Sequence, residues 1–226
     1  MRCFEQIRQY AGYMGIPMVL VGIGSGLSLQ YMGNTHYSLE DIALMRMIPG
    51  MNVMAPCDSL EAMKTLQTAV NQNSSSYIRL WGGTGIPTVH TEDFHFEYGK
   101  AIILREGKDL TLVATGSMVS LALKVAESLK ESSISAKVVD MPTLSPIDAS
   151  AFMSENNLIV TLEEHRSRGG LGSAIEEVLP SIEKQPQLIK VGIDMDYPMA
   201  GSYQYMLTQC GLQPEIISNR ILNTIK

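Results

Sequence analysis

Several familiar features are missing from this sequence, and each absence narrows its reading. No block of lysines or arginines runs together, and the 226 residues carry a net charge of −6 with a pI near 5.2. The basic footprint of a nucleic-acid binder is therefore lacking. The three cysteines, Cys3, Cys57 and Cys210, are odd in number and far apart, with no CxxC pair. They read as ordinary cytosolic thiols, and no metal site is expected from their spacing. The longest apolar run, 16–29, is broken by Gly22, Gly24 and Gly26 and is too short to span a bilayer. Nor does the N-terminus resemble a signal peptide, because Arg2, Glu5 and Arg8 stand where its apolar segment would lie. There is no internal repeat and no low-complexity tract. These absences point to a soluble cytoplasmic protein that engages neither nucleic acid nor membrane.

What is present is a chain that is 45% hydrophobic and longer than the usual single domain. Two domains of similar size follow as the expectation. The run at 18–23 is aliphatic and ends in glycines, as a strand buried on both faces does. Residues 38–47 read as a helix, with Ser38 as cap, Asp41 completing a capping box, and Leu39, Ile42, Ala43 and Met47 facing a sheet. A strand at 52–55, a helix capped by Asp58 over 58–70 and a strand at 77–81 continue the alternation, which implies parallel pairing with right-handed crossovers. The turn-rich stretch 82–98 reads as the connection between domains.

A second α/β unit follows. Strands are expected at 110–115, 136–140, 158–162 and 188–193, and helices at 117–130, 145–154 and up to residue 179, with two closing helices from Ser202 and Pro214. The first domain is left with only about three strands, fewer than a doubly wound sheet usually carries.

Four local patterns carry possible chemistry. GIGSG, Gly22 to Gly26, follows a strand, but only a few residues separate it from Gly33, too few for the crossover helix a dinucleotide site needs. His36 sits just ahead of the helix that begins near Ser38, where an imidazole can either bond loop backbone or pass a proton to a substrate hydroxyl or carbonyl. Arg79 lies inside the apolar strand YIRLW, where a guanidinium needs either an internal carboxylate or a bound anion. Glu163, Glu164 and His165, adjacent at a strand end, point in different directions and read as an interdomain or interchain contact rather than a chelate.

FEQIR, MVLVGIG, GNTH, LEDIALMRMIPGMNV, APCD and YIRLWG together resemble the pyrimidine-binding domain of transketolases. EGKDLTLVATGSMVSLALKVAESL, VVDMPTLSPID, VTLEEHRSRGGLGSAIEEVL and GSYQYMLTQCGL resemble the transketolase C-terminal domain. The similarity runs through nearly the whole chain in order. It implies an α/β fold of two domains with mostly parallel sheets: an N-terminally truncated pyrimidine-type domain at 1–90 and a transketolase C-terminal domain at 98–226.

The resemblance also implies function. The chain would be the C-terminal portion or subunit of a thiamine-diphosphate- and Mg²⁺-dependent enzyme that transfers a two-carbon ketol unit between sugar phosphates. Deoxyxylulose-phosphate synthases and 2-oxoacid dehydrogenase β subunits are the alternatives within the superfamily, and a silent dimerising fragment is the alternative outside enzymes. His36 is expected at the reaction centre as the catalytic residue, and Arg79 as the holder of the sugar phosphate. Met32 and Gly24 stand where well-studied transketolases have an aspartate and a histidine, which implies different donor contacts. The glutamate and stacking aromatics that hold the aminopyrimidine belong upstream of FEQIR, so the cofactor-binding residues of this chain are unknown. The Mg²⁺ belongs to a diphosphate-binding domain or subunit not included here. A lone chain is then not expected to catalyse, and homodimerisation through the C-terminal domain is expected.

Overall fold

The structure, a computed structural model, describes residues 2–83, 85–152, 157–181 and 184–225. Two sheets organise them. The first contains β1 (Val19–Ile23), β2 (Asn52–Met54) and β3 (Ser76–Leu80), parallel in the order β1-β3-β2. A fourth strand, β7 (Thr143–Ser145), joins antiparallel beside β2. It comes from the second half of the sequence, so the first sheet is wider than the sequence implies and is completed across the two halves. β1, expected to be buried on both faces, is instead an edge strand with Val21 45% and Ile23 74% exposed, because no strand pairs on its outer side among the described residues.

The second sheet has the order β4-β6-β5-β8-β9, from β4 (Ile102–Arg105), β5 (Leu110–Ala114), β6 (Ala136–Asp140), β8 (Leu158–Leu162) and β9 (Gln187–Val191). Only β4 runs antiparallel, and a register shift between Ile103 and Arg105 bends it. Every residue of β5 and β8 is buried, which is why these strands read as near-continuous apolar runs, each with a single threonine, rather than alternating ones.

Helix α1 (Phe4–Ile7) passes directly into a π-helical segment, Arg8–Tyr13. Helix α2 spans Asp41–Arg46, α3 Ser59–Asn71, α4 Met118–Glu131, α5 Leu171–Val178, α6 Tyr203–Gln209 and α7 Pro214–Ile225. In α4, Met118, Leu121, Ala122, Val125, Ala126 and Leu129 are buried, the spacing of one helical face. Each large aliphatic side chain removed from water contributes about 1.5–3 kcal/mol. α4, α6 and α7 cover one face of the second sheet, and Leu27, Tyr37 and Leu39 of the first half insert into the same core. The other face, with Val113, Val139 and Ile159, packs against Ile42, Met45, Val53 and Tyr77 of the first half together with Leu171 and Ile175 of α5. The two halves thus share both of the large cores.

Three further local expectations need correction. α2 begins at Asp41 with no side-chain cap bond. Asp41 turns instead to Arg79 and Tyr77, because a bond to a buried cation is stronger than one to a neutral backbone N–H. Met47, expected against a sheet, is 78% exposed. The helix expected at 145–154 is replaced by the end of β7 and a single 3₁₀ turn at Ala149–Ala151, and its last two residues lie outside the described ones. By contrast, Asp58 does cap α3, its Oδ1 accepting from the Glu61 N–H at 2.9 Å. Among the described residues no helix is long and apolar enough to cross a membrane.

Candidate functional site

His36 lies at the exposed rim of a cleft of about 650 Å³ lined by Leu20 to Gly22 of β1, by 34–38, and by Asp41 and Tyr77. Its neighbour fixes that orientation. Tyr37 is buried, and its hydroxyl donates to the Gln30 carbonyl at 2.8 Å and lies 3.0 Å from the Met206 sulfur. The His36 N–H closes a turn on the Gly33 carbonyl at 2.9 Å, and with Tyr37 committed to the core the imidazole at the end of that turn is left facing outward. The His36 ring Nδ1 is 3.0 Å from the Thr35 hydroxyl, which leaves Nε2 for a ligand in the cleft.

Arg79 is placed differently from the expectation that it holds a sugar phosphate. It does not line the cleft. Its Nε donates to Asp41 Oδ2 at 2.9 Å, and its Nη2 to the carbonyls of Ser38 and Glu164, both at 2.9 Å. With 3% of its side chain exposed, the guanidinium serves the chain's interior. Tyr77 also donates to Asp41 Oδ2, at 2.8 Å. Burial pushes the Asp41 carboxyl up, but the charge and hydrogen bonds of Arg79 outweigh it, and its pKa lies below the ordinary aspartate value.

Behind this pair stands the Glu163–Glu164–His165 corner at the end of β8. Glu164 Oε1 accepts the Leu27 N–H at 2.6 Å, and Oε2 accepts the Ser117 and Tyr203 hydroxyls at 2.5 and 2.6 Å. Gly26, at φ +61°, leaves room for this carboxylate, which a Cβ there would overlap. Glu163 accepts the N–H groups of Leu171 and Gly172 at the start of α5. His165 Nδ1 donates to the Arg166 carbonyl at 2.8 Å, and burial, with Arg79 nearby, lowers its pKa to about 4, so the ring stays neutral. Arg166 bonds Glu40 and the carbonyls of Ile193 and Met195, while Arg46 bonds Glu177 and the Gly169 carbonyl. The corner joins the two halves of the chain, with Glu164 bonding Leu27 and Arg79 from the first half; the sequence leaves open whether it is an interdomain or an interchain contact.

The GIGSG segment makes no nucleotide cradle. The Gly24 and Ser25 N–H groups both bond the Leu80 carbonyl at 3.1 Å, and a 3₁₀ turn, Gln30–Met32, follows in place of a helix. The cleft also falls short of a thiamine diphosphate site. Asp41 Oδ2 and Glu40 are already engaged, and although Asp41 Oδ1 is buried without a hydrogen-bond partner, its carboxylate is anchored to Arg79. Among the described residues no carboxylate stands free in the cleft to meet an aminopyrimidine.

Comparison with known proteins agrees with this architecture. Residues 1–81 match the model of the transketolase pyrimidine-binding domain, and residues 99–217 that of the transketolase C-terminal domain. The chain is 36% identical over its whole length to a Methanocaldococcus jannaschii protein, itself named as a candidate transketolase C-terminal section, of which it covers 72%. It is 33% identical, with the same coverage, to one of the subunits of the apulose-4-phosphate transketolase of Phocaeicola vulgatus. Among solved structures, a split-gene transketolase described as an inactive β4 tetramer superposes with a TM-score of 0.85 at 35% identity, over 98% of this chain and 71% of that one. With both domain models matched in order and the similarity running end to end, this chain belongs to the transketolase family and carries its C-terminal portion.

Proposed function

We propose that the chain works as the C-terminal subunit or portion of a transketolase that moves a two-carbon ketol unit between sugar phosphates, with thiamine diphosphate and Mg²⁺ bound in the complete enzyme. The observation that carries this reading is the exposed imidazole of His36, held at the mouth of the cleft by a buried Tyr37 within the segment matched to the pyrimidine-binding domain. His36 would hydrogen-bond the donor sugar's carbonyl or hydroxyl and exchange its proton, work that suits an imidazole at neutral pH. Arg79 acts through Asp41 and the Ser38 carbonyl, as a positioning residue rather than a phosphate ligand. We divide the chain at the 82–98 connection, into 1–90 and 98–226.

The free carboxylate that the cleft lacks would come from a second chain, and the Mg²⁺ and diphosphate from a diphosphate-binding partner chain. The P. vulgatus relative is itself named as a subunit, and the split-gene structure is described as inactive as a β4 tetramer; both support a division of labour between chains. A homodimer through the C-terminal half, working in the cytoplasm, completes the proposal.

The decisive experiment is calorimetric titration of thiamine diphosphate with Mg²⁺ into the 226-residue chain, alone and with a co-expressed diphosphate-binding subunit from the same source. Binding only with the partner, followed by ketol transfer from a ketose phosphate, is the expected result. Absence of heat in both cases would sink the proposal in favour of a silent assembly protein, and activity only with pyruvate would favour a deoxyxylulose-phosphate synthase.

A further inference from the structure

Away from the cleft, four side chains with metal-binding atoms converge where the halves meet. Cys57 precedes α3, Glu61 lies in its first turn, His90 comes from the connecting segment, and Asp140 is the last residue of β6. One ligand atom from each can be chosen so that all lie within 4.8 Å of one another. The side chains of Glu61 and Asp140 are fully buried and that of His90 is 7% exposed, while Cys57 is 1% exposed as a residue.

The spacing is long for hydrogen bonds, His90 and Asp140 making only a stretched one, and close to what an ion needs. His90 Nε2 is 3.4 Å from Asp140 Oδ2 and 3.9 Å from Glu61 Oε1, longer than the ordinary 2.7–3.2 Å. Ligand atoms about 2.0–2.3 Å from a tetrahedral ion sit about 3.3–3.8 Å from each other. Glu61 Oε1 and Asp140 Oδ1 are buried with no hydrogen-bond partner. Among the described residues, the only ion pairs reaching these two carboxylates come from His90. Two buried carboxylates facing a single imidazole leave negative charge uncompensated, which is costly unless a cation or shared protons neutralise it.

The supporting groups are fixed too. Asp58 Oδ2 accepts the backbone N–H groups of Val89 and His90 at 2.9 and 2.7 Å, and the His90 ring stacks on Phe94 at 3.9 Å. Glu61 Oε2 accepts the Cys57 N–H at 2.6 Å, leaving Oε1 to the cluster.

We infer that Cys57, Glu61, His90 and Asp140 form a closed structural site for a borderline divalent cation of the zinc type, joining α3, the connecting segment and β6. A thiolate, an imidazole and two carboxylates favour such an ion over Mg²⁺ or Ca²⁺, which take oxygen ligands. With four protein ligands the site has no open position, so its role is to hold the halves together.

The test is a Co²⁺ titration of the chelator-treated 226-residue chain, followed by absorption spectroscopy, with Zn²⁺ affinity measured by calorimetry. We expect one Co²⁺ per chain, visible bands of tetrahedral intensity, and a thiolate-to-cobalt charge-transfer band that disappears in Cys57→Ser and survives in Cys3→Ser/Cys210→Ser. His90→Ala, which removes a ligand, should weaken Zn²⁺ binding by more than the roughly 10–100-fold that loss of an outer-shell partner costs. The wild-type spectrum is a readout that needs no variant to fold. Absence of bands at millimolar Co²⁺ would overturn the inference and leave shared protons as the means of neutralisation. A charge-transfer band that persists in a folded Cys57→Ser chain would overturn it too.

Discussion

Arg79 and Asp41 meet at 2.9 Å with side chains only 3% and 11% exposed, in the middle of the interface between the two halves. The same guanidinium also holds the Ser38 and Glu164 carbonyls, so one side chain ties together β3, α2, the loop before it and the end of β8. Replacing Arg79 by Ala leaves two carbonyls without their donor and the Asp41 carboxylate with Tyr77 alone and no cation. A loss of about 3–5 kcal/mol of stability is expected, the usual cost of breaking a buried pair from one side. Urea unfolding measures it, and a change below about 1 kcal/mol would mean that the Arg79 guanidinium, with its bond to the Glu164 carbonyl, does not hold the halves together. In a reconstituted enzyme, Arg79→Lys should affect KM for phosphorylated and unphosphorylated donors alike. A selective rise for the phosphorylated donor would restore Arg79 to the sugar phosphate.

Glu164 is the second tie. Its carboxylate accepts from Leu27, Ser117 and Tyr203 in a fully buried position. Glu164→Gln offers one acceptor oxygen where there were two and adds an amide that needs acceptors of its own. We expect a destabilisation of about 2–4 kcal/mol, the cost of losing bonds to a buried charge. Gly26→Ala should act in the same direction, since it drives a Cβ into that carboxylate from a left-handed backbone position. Thermal unfolding of both variants checks this, and wild-type midpoints would contradict it.

Glu163 should leave a signature in the pH dependence of stability. Burial raises its pKa from 4.5 to about 7, against the lowering effect of the Gly172 and Leu171 N–H groups. The native state then keeps a proton that the unfolded chain has lost, so this group's contribution falls as pH rises from about 4.5 to about 7. His165 works oppositely: its pKa falls from 6.5 to about 4, so its contribution grows across that interval. Comparing wild type with Glu163→Gln isolates the first effect. The difference in unfolding free energy should drift by about 3 kcal/mol between about pH 4.5 and about pH 7, and parallel curves would contradict the assignment.

His36 makes the contrasting prediction. Because the ring is exposed and its hydrogen bond is to an equally exposed Thr35, His36→Ala should leave the unfolding midpoint where it is. Turnover of the chain reconstituted with its diphosphate-binding partner should fall by about tenfold or more, as for loss of a positioned proton-transfer group. Unchanged turnover would take His36 out of the mechanism.

The sequence by itself determined the elements whose signals are local. Residues 158–162, and less plainly 136–140, are legible as strands because a short, mostly aliphatic, β-branched run has few other places to go in a parallel sheet. The start of α3 is legible because Asp58 bonds an N–H three residues away. The family is legible because its motifs lie in order along the chain. His36 could be singled out as an outlying imidazole, though nothing in its spacing says that Tyr37 would anchor it.

Tertiary structure decided what depends on distant partners. β7 is three residues long and exists because β2 offers it an edge. Asp41 gave up capping α2 because folding delivered Arg79 from β3. Cys57 and Glu61 stand four residues apart, but His90 and Asp140 lie far along the chain from them and from each other, so no short motif announces the set. Periodicity and capping act over a few residues, where sequence can be read directly. Where a buried charge finds its partner is settled by desolvation, which penalises every arrangement that leaves it alone and is resolved only once the whole chain has packed.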